Sequence, residues 1–147
     1  MLALLDASKA FDRIFKPLLF VKLREMGITG RLFSVLVSYF AGRYQRVNVE
    51  NAYSEFVETI HGGPQGSVIV LFCWLVYIND LSSLIEDSSF GIFVDDVSLY
   101  LGDTDQNKAV KRLQDNLTRI YSWSISNHMT FNLKKFSIID VGNKKLS

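Results

Sequence analysis

The chain has 147 residues, 48% of them hydrophobic, and a formal net charge of +1, with a mean hydropathy of +0.16. That composition excludes an intrinsically disordered segment and suits one domain with a real core. Near-neutrality argues against a strong electrostatic grip on nucleic acid by this chain alone. The single cysteine, Cys73, excludes an internal disulfide or a thiolate-built zinc cluster, and suits a cytosolic or nuclear setting.

LALLD, Leu2 to Asp6, reads as a buried strand that ends on a carboxylate. The opening MLALLDASKAF has an apolar run without a basic flank and meets Asp6 too early for a signal peptide. Pro17 suits the first turn of a helix that continues through LLFVKLREM and stops at Gly27. Thr29 is placed to cap the next helix, where Leu32, Phe33, Leu36, Tyr39 and Phe40 recur at helical spacing. From Tyr44 to Ile60, strand-like alternation broken at ENAYS predicts a β-hairpin. GGPQGS, Gly62 to Ser67, is a turn-forming loop that leads into VIVLFCWLVYI, Val68 to Ile78. That run is shorter than the ~20 residues needed to span a bilayer, so a buried helix is expected and no membrane partner. GIFVDDVSLYL predicts a tight hairpin with Asp95 and Asp96 at its tip. Between Asp105 and Trp123 the stripe Val110, Leu113, Leu117, Ile120 and Tyr121 predicts an amphipathic helix, and KKFSIIDVGNKK suggests a last strand. The fold class expected is α+β, with helices packed on one face of an antiparallel sheet.

Asp6 ends one strand, and Asp95 with Asp96 interrupts an otherwise apolar run. Burying an unpaired carboxylate costs several kcal/mol or forces its neutralisation. If the two strands are neighbours, the carboxylates meet at the rim of the sheet and need a counter-charge. Magnesium meets that need, because it takes oxygen ligands from one or two carboxylates and from substrate phosphates. Two such ions roughly 3.5–4 Å apart hold the attacking and leaving oxygens of an in-line phosphoryl displacement.

DASKAFD (Asp6–Asp12), GGPQGS (Gly62–Ser67), YINDL (Tyr77–Leu81), FVDD (Phe93–Asp96) and NLKK (Asn132–Lys135) follow one another along the chain. In that order they resemble the reverse transcriptases of non-LTR retrotransposons, the LINE and jockey-like elements, with group II intron enzymes more distant. The resemblance covers essentially the whole chain and implies a polymerase palm with a finger-side insertion at about 27–60. It implies RNA-directed DNA synthesis from deoxynucleoside triphosphates (dNTPs) on an RNA template and a DNA primer, with Mg2+ or alternatively Mn2+. By the same resemblance Asp6 and Asp95 hold metal, the backbone carbonyl of Ala7 adds a ligand, and Asp96 has a supporting role. Phe11 would lie beneath the sugar of the incoming nucleotide and disfavour a 2′-hydroxyl. Gln65 and Gly66 would lie along that nucleotide and the template. Lys134 or Lys135 would approach the triphosphate, and Lys135 fits the register better as a proton donor to pyrophosphate.

Apart from the resemblance, each residue has a plainer reading. An Asp pair suits a turn, Phe11 a core, Gln65 a local backbone contact, and Lys134 and Lys135 a solvated surface. Ile69, Val70 and Leu71 stand where the family has a Leu-Gly-Pro stretch, and Phe136 where Thr or Ser is commoner. The family's fingers precede the first Asp and its thumb follows the last strand, so a truncated copy with little or no activity of its own is expected. Two other classes stand beside it: a silent remnant acting as a binding module, and a metal-dependent phosphodiesterase or nuclease. PQGS and Phe11 speak against the nuclease, because hydrolysis needs neither a template-side loop nor a sugar gate. Oligomeric state and compartment, nucleus or cytoplasm, are left open by the sequence.

Overall fold

A computed structural model describes residues 1–85 and 89–140. The elements run β1 (Leu2–Asp6), α1 (Ala10–Arg13), α2 (Lys16–Glu25), α3 (Gly30–Phe40), β2 (Tyr44–Gln45), β3 (Asn48–Val49), β4 (Ala52–Tyr53) and β5 (Val57–Glu58). They continue through α4 (Val68–Ile78), a 3-10 helix (Asn79–Leu84), β6 (Ser89–Phe93), β7 (Asp96–Tyr100), α5 (Gln106–Ser126) and β8 (Ser137–Ile139). The tail beyond 140, where the expected last strand was to continue, lies outside the described residues. The chain divides into two compact units, one formed by Met1–Ala10 with the residues from Ile78 onward, the other by Phe11–Tyr77.

The first unit is built on a four-stranded antiparallel sheet of order β6-β7-β1-β8. Period-2 alternation gives it a buried face carrying Ala3, Leu5, Val97 and Leu99, and an open face carrying Leu4, Ser98 and Tyr100. β1 is therefore buried on one side only. The 21-residue α5 starts at Asp105, whose Oδ1 accepts hydrogen bonds from the amides of Asn107 (2.9 Å) and Lys108 (3.4 Å). Its buried stripe is Ala109, Leu113, Asn116, Ile120, Trp123 and Ser124. The expected stripe overlaps this at Leu113 and Ile120, but Val110 and Tyr121 are exposed. The inner face includes Ala109, Asn116 and Ser124, small or polar residues that hydrophobic spacing does not mark.

The second unit packs α2 and α3 with the loop 62–67 and α4. Pro17 stands in the first turn of α2, and Gly27 follows the helix at φ +82. Thr29 occupies the N-cap of α3, but its hydroxyl makes no capping bond. Leu36 and Phe40 are buried while Leu32 is exposed. The predicted hairpin forms as two short ladders, β2 with β5 and β3 with β4, reversing at Glu50 and Asn51 with positive φ. The helix expected to be buried at Val68–Ile78 is buried on one face only: Val70, Cys73, Trp74 and Tyr77 are buried, whereas Val68, Leu71, Phe72 and Leu75 form an exposed apolar stripe. Spacings of three and four place those four on one helical face. Among the described residues no helix is long and apolar enough to cross a membrane.

Candidate active site

The last residue of β1, Asp6, lies directly opposite Asp96 across the β1–β7 ladder. Directly opposed residues of an antiparallel pair project from the same face, so both carboxylates belong to the open face. Asp95 sits just outside the ladder, in the two-residue Val94–Asp95 turn between β6 and β7. The tip of the hairpin is therefore Val-Asp, with Asp96 already the first strand residue. Val94 takes φ +56, a left-handed conformation that is costly for a β-branched residue. The amide of Ala7 donates to the carbonyl of Asp95 at 2.9 Å, which ties the turn to the end of β1.

A third segment closes on the same point. The Asn132 amide donates to the Asp6 carbonyl at 2.8 Å, and the Lys135 amide donates back to the Asn132 carbonyl at 3.0 Å. Asn132 Oδ1 also accepts from the Lys134 amide at 3.1 Å, a side-chain-stabilised turn of the Asx kind. That turn delivers Lys135 Nζ to Asp6 Oδ1 at 2.7 Å. The Lys135 side chain is 62% exposed and that of Asp6 only 15%. The hydrogen bond it donates to Asp6, and the charge of that carboxylate, raise the lysine's pKa above the ordinary value, with further contributions from the charges of Asp95 and Asp96. All three carboxylates therefore act on one ammonium. Lys134, one residue earlier, is exposed.

Beside this cluster lies a cleft of about 470 Å³, lined among others by Leu4, Asp6, Phe93, Asp96, Ser98 and Lys135. Gly91 contributes by what it lacks, since a Cβ there would stand 2.9 Å from Ser98 Oγ. The donor chemistry fits a hard divalent cation, being anionic oxygens around one point of positive charge with no soft ligand. Among the described residues no three His, Cys, Asp or Glu side chains are gathered closely enough to enclose one ion. Lys135 holds the counter-charge on Asp6 in this arrangement.

Phe11, Gln65 and Gly66 belong to the second unit. Phe11 is half-buried, its ring edge-on to Trp74 at 6.0 Å between centroids, so the plainer core contact is real. Gln65 Nε2 donates to Asp12 Oδ1 at 3.1 Å. The loop is pinned nearby by the Gly62 amide on the Ile14 carbonyl (2.8 Å) and by Tyr39 Oη on Ser67 Oγ (2.6 Å). Gly62 has φ +69, and a Cβ there would lie 3.0 Å from both Asp12 Cα and its carbonyl oxygen. Sequence reasoning left Asp12 and Asn132 without roles, although both stand inside quoted motifs. Both are polar residues able to pair, but so are Ser8 and Lys9 in DASKAFD, and no spacing rule names their partners.

Over residues 1–144 the sequence matches the family described as reverse transcriptase (RNA-dependent DNA polymerase). It is 30% identical over 145 residues to the probable RNA-directed DNA polymerase from transposon X-element of Drosophila melanogaster, covering 89% of this chain and 16% of that protein. It is 26% identical to the RNA-directed DNA polymerase from mobile element jockey of Drosophila funebris, covering 95% of this chain and again 16% of the relative. The chain thus spans about one sixth of the length of these curated relatives. Among solved structures, apo telomerase from Candida tropicalis is similar with a TM-score of 0.64 and 16% identity, over 96% of this chain and 31% of that one. Telomerase from Candida albicans in complex with a fragment of telomeric RNA gives a TM-score of 0.61 at 17% identity, covering 97% of this chain and 27% of that one. The palm-like α+β fold and the family match agree, and the chain belongs to the reverse transcriptase family, as a segment related to those of jockey-like non-LTR retrotransposons.

Proposed function

We propose that the chain carries the catalytic centre of an RNA-directed DNA polymerase that joins dNTPs to a primer 3′ end on an RNA template. The observation that carries this reading is the convergence of Asp6, Asp95 and Asp96 on one positive charge at the rim of the sheet. A pair of divalent ions, magnesium or manganese, supplies Lewis-acid stabilisation of the attacking and leaving oxygens. Asp6 and Asp95 hold them, with Asp96 and the Ala7 carbonyl in support. Lys135 and Lys134 bring positive charge to the triphosphate, Lys135 as proton donor to the leaving pyrophosphate. Positioning and charge neutralisation supply most of the catalysis in such a transfer. Phe11 disfavours a 2′-hydroxyl, and Gln65 with Gly66 lies along the incoming nucleotide and the template. The stretch 27–60 is the finger-side insertion of a palm. RNA as template is in keeping with the family's description as an RNA-dependent DNA polymerase.

With a net charge of +1, the chain by itself holds primer–template weakly, because polymerase affinity rests largely on phosphate contacts. Nucleotide binding is therefore a better first test than turnover. Titration of the 147-residue chain with a fluorescent dNTP is expected to give divalent-dependent binding that Asp95→Asn abolishes. Phe11→Ala is expected to narrow the preference for dNTP over the ribonucleotide. Absence of divalent-dependent dNTP binding by the wild type would overturn the reading. Cleavage of nucleic acid without dNTPs, lost in Asp95→Asn, would favour the nuclease instead.

A further inference from the structure

Three carboxylates brought to one rim repel one another, and something must hold them there before a metal ion arrives. Asp6 is poorly placed to move: it ends a strand, its side chain is only 15% exposed, and its carbonyl accepts from the Asn132 amide. Lys135 is different, with a 62% exposed side chain on a flexible four-carbon stem. Of the two partners, the ammonium is the one able to leave. Its position is nonetheless built, because the Asn132 turn sets the backbone of Lys135 beside Asp6.

We propose that Lys135 is a resident counter-cation of the carboxylate site, which competes with the divalent ion for Asp6 and is released toward the nucleotide's phosphates when that ion binds. The inference rests on the polymerase reading and adds a role for the lysine before substrate is present. At 2.7 Å the ammonium occupies Asp6 Oδ1 directly, so a cation coordinated there displaces it. Exposed ion pairs are weak, which makes the displacement easy. Lys22 offers the contrast within the same chain: it is buried, donating to the Tyr77 carbonyl at 2.7 Å, and cannot exchange partners so freely. Once a triphosphate is present, the released ammonium gains a new anion. Metal and nucleotide binding then favour each other, and the coupling is reciprocal.

The test is Mn2+ binding to the 147-residue chain, read from the electron paramagnetic resonance signal of free Mn2+, without nucleotide. Lys135→Ala is expected to bind Mn2+ roughly three- to five-fold more tightly than wild type, the range an exposed ion pair commands. Lys135→Arg keeps the charge and should stay near wild type. Lys108→Ala, on the exposed side of α5, removes one charge elsewhere and should change nothing. Unchanged or weaker binding by Lys135→Ala overturns the inference, as does equal tightening by the Arg variant. If the wild type binds Mn2+ and Asp6→Asn weakens it while Lys135→Ala has no effect, only the lysine's role fails. If no variant binds Mn2+, both the lysine's role and the metal site fail.

Discussion

Lys16, Lys22 and Lys135 carry the same ammonium into three environments. Lys16 is buried and donates to the Thr59 carbonyl and, at 2.9 Å, to its hydroxyl. Burial first, and then the charge of Arg43, lower its pKa, with Glu58 opposing. Lys22 is buried with its Nζ 4.9 Å from the centre of the Tyr77 ring. Lys135 alone faces solvent and a carboxylate together, which suits it to exchange. Cys73 shows burial acting on a thiol: fully enclosed in α4, it is pushed up to about 11 from 9.0. A thiol-reactive disulfide reagent at pH 8 is therefore expected to label Cys73 only as fast as the protein unfolds, with urea accelerating the reaction. The sign of the pH effect follows from proton counting. Between pH 9 and about 11 the folded state keeps a proton that the unfolded state has lost, so stability falls as pH rises through that window. Rapid stoichiometric labelling of the native protein at pH 8 would contradict this.

Among the elements, α5 rests most plainly on a single local device. The Asp105 carboxylate accepts two amides of its first turn, and a Ser, Thr, Asp or Asn cap replaced by alanine costs typically ~1 kcal/mol. Asp105→Ala is accordingly expected to lower stability by about 1 kcal/mol in urea unfolding followed by circular dichroism. An unchanged midpoint would mean that the cap contributes nothing. The β6–β7 hairpin works differently. Its turn keeps Val94 in a conformation that glycine would adopt without strain, and the turn stays there because five cross-strand pairs fix the register on each side of β7. Register thus places the backbones of Asp6, Asp95 and Asp96 together at one end of the sheet.

For the molecule as a whole, acidic and basic groups nearly balance at 15 and 16, while the candidate site concentrates negative charge at one rim. The overall field therefore gives little attraction for nucleic acid. The isolated chain is expected to bind a labelled single-stranded RNA no tighter than roughly 1 μM at physiological salt, within the non-specific range. Its affinity should also fall less steeply with salt than that of a protein neutralising many phosphates. Fluorescence anisotropy at two salt concentrations checks both points, and nanomolar binding with a steep salt slope would contradict the charge argument.

Strand, helix and turn positions were legible in the sequence because they follow from short-range causes. A short apolar run marked β1, Pro17 and Gly27 bounded α2, and two short β-rich runs marked the hairpin, whose tip was expected at Asp95–Asp96 and lies one residue earlier, at Val94–Asp95. The ordered motifs likewise identified the family. Which face of a helix is buried was less legible: α4 exposes a stripe as apolar as the one it buries, and α5 buries Asn116 and Ser124. Hydropathy records what a side chain is, whereas burial depends on what is packed beside it. The contacts that organise the candidate site join residues far apart in the chain, Gln65 to Asp12 across 53 positions and Lys135 to Asp6 across 129. Local propensity does not constrain such pairs. The family resemblance favoured Lys135 over Lys134 by its place in the motif, but only the tertiary structure, which sets the Asn132 turn against the end of β1, decided that its ammonium meets Asp6.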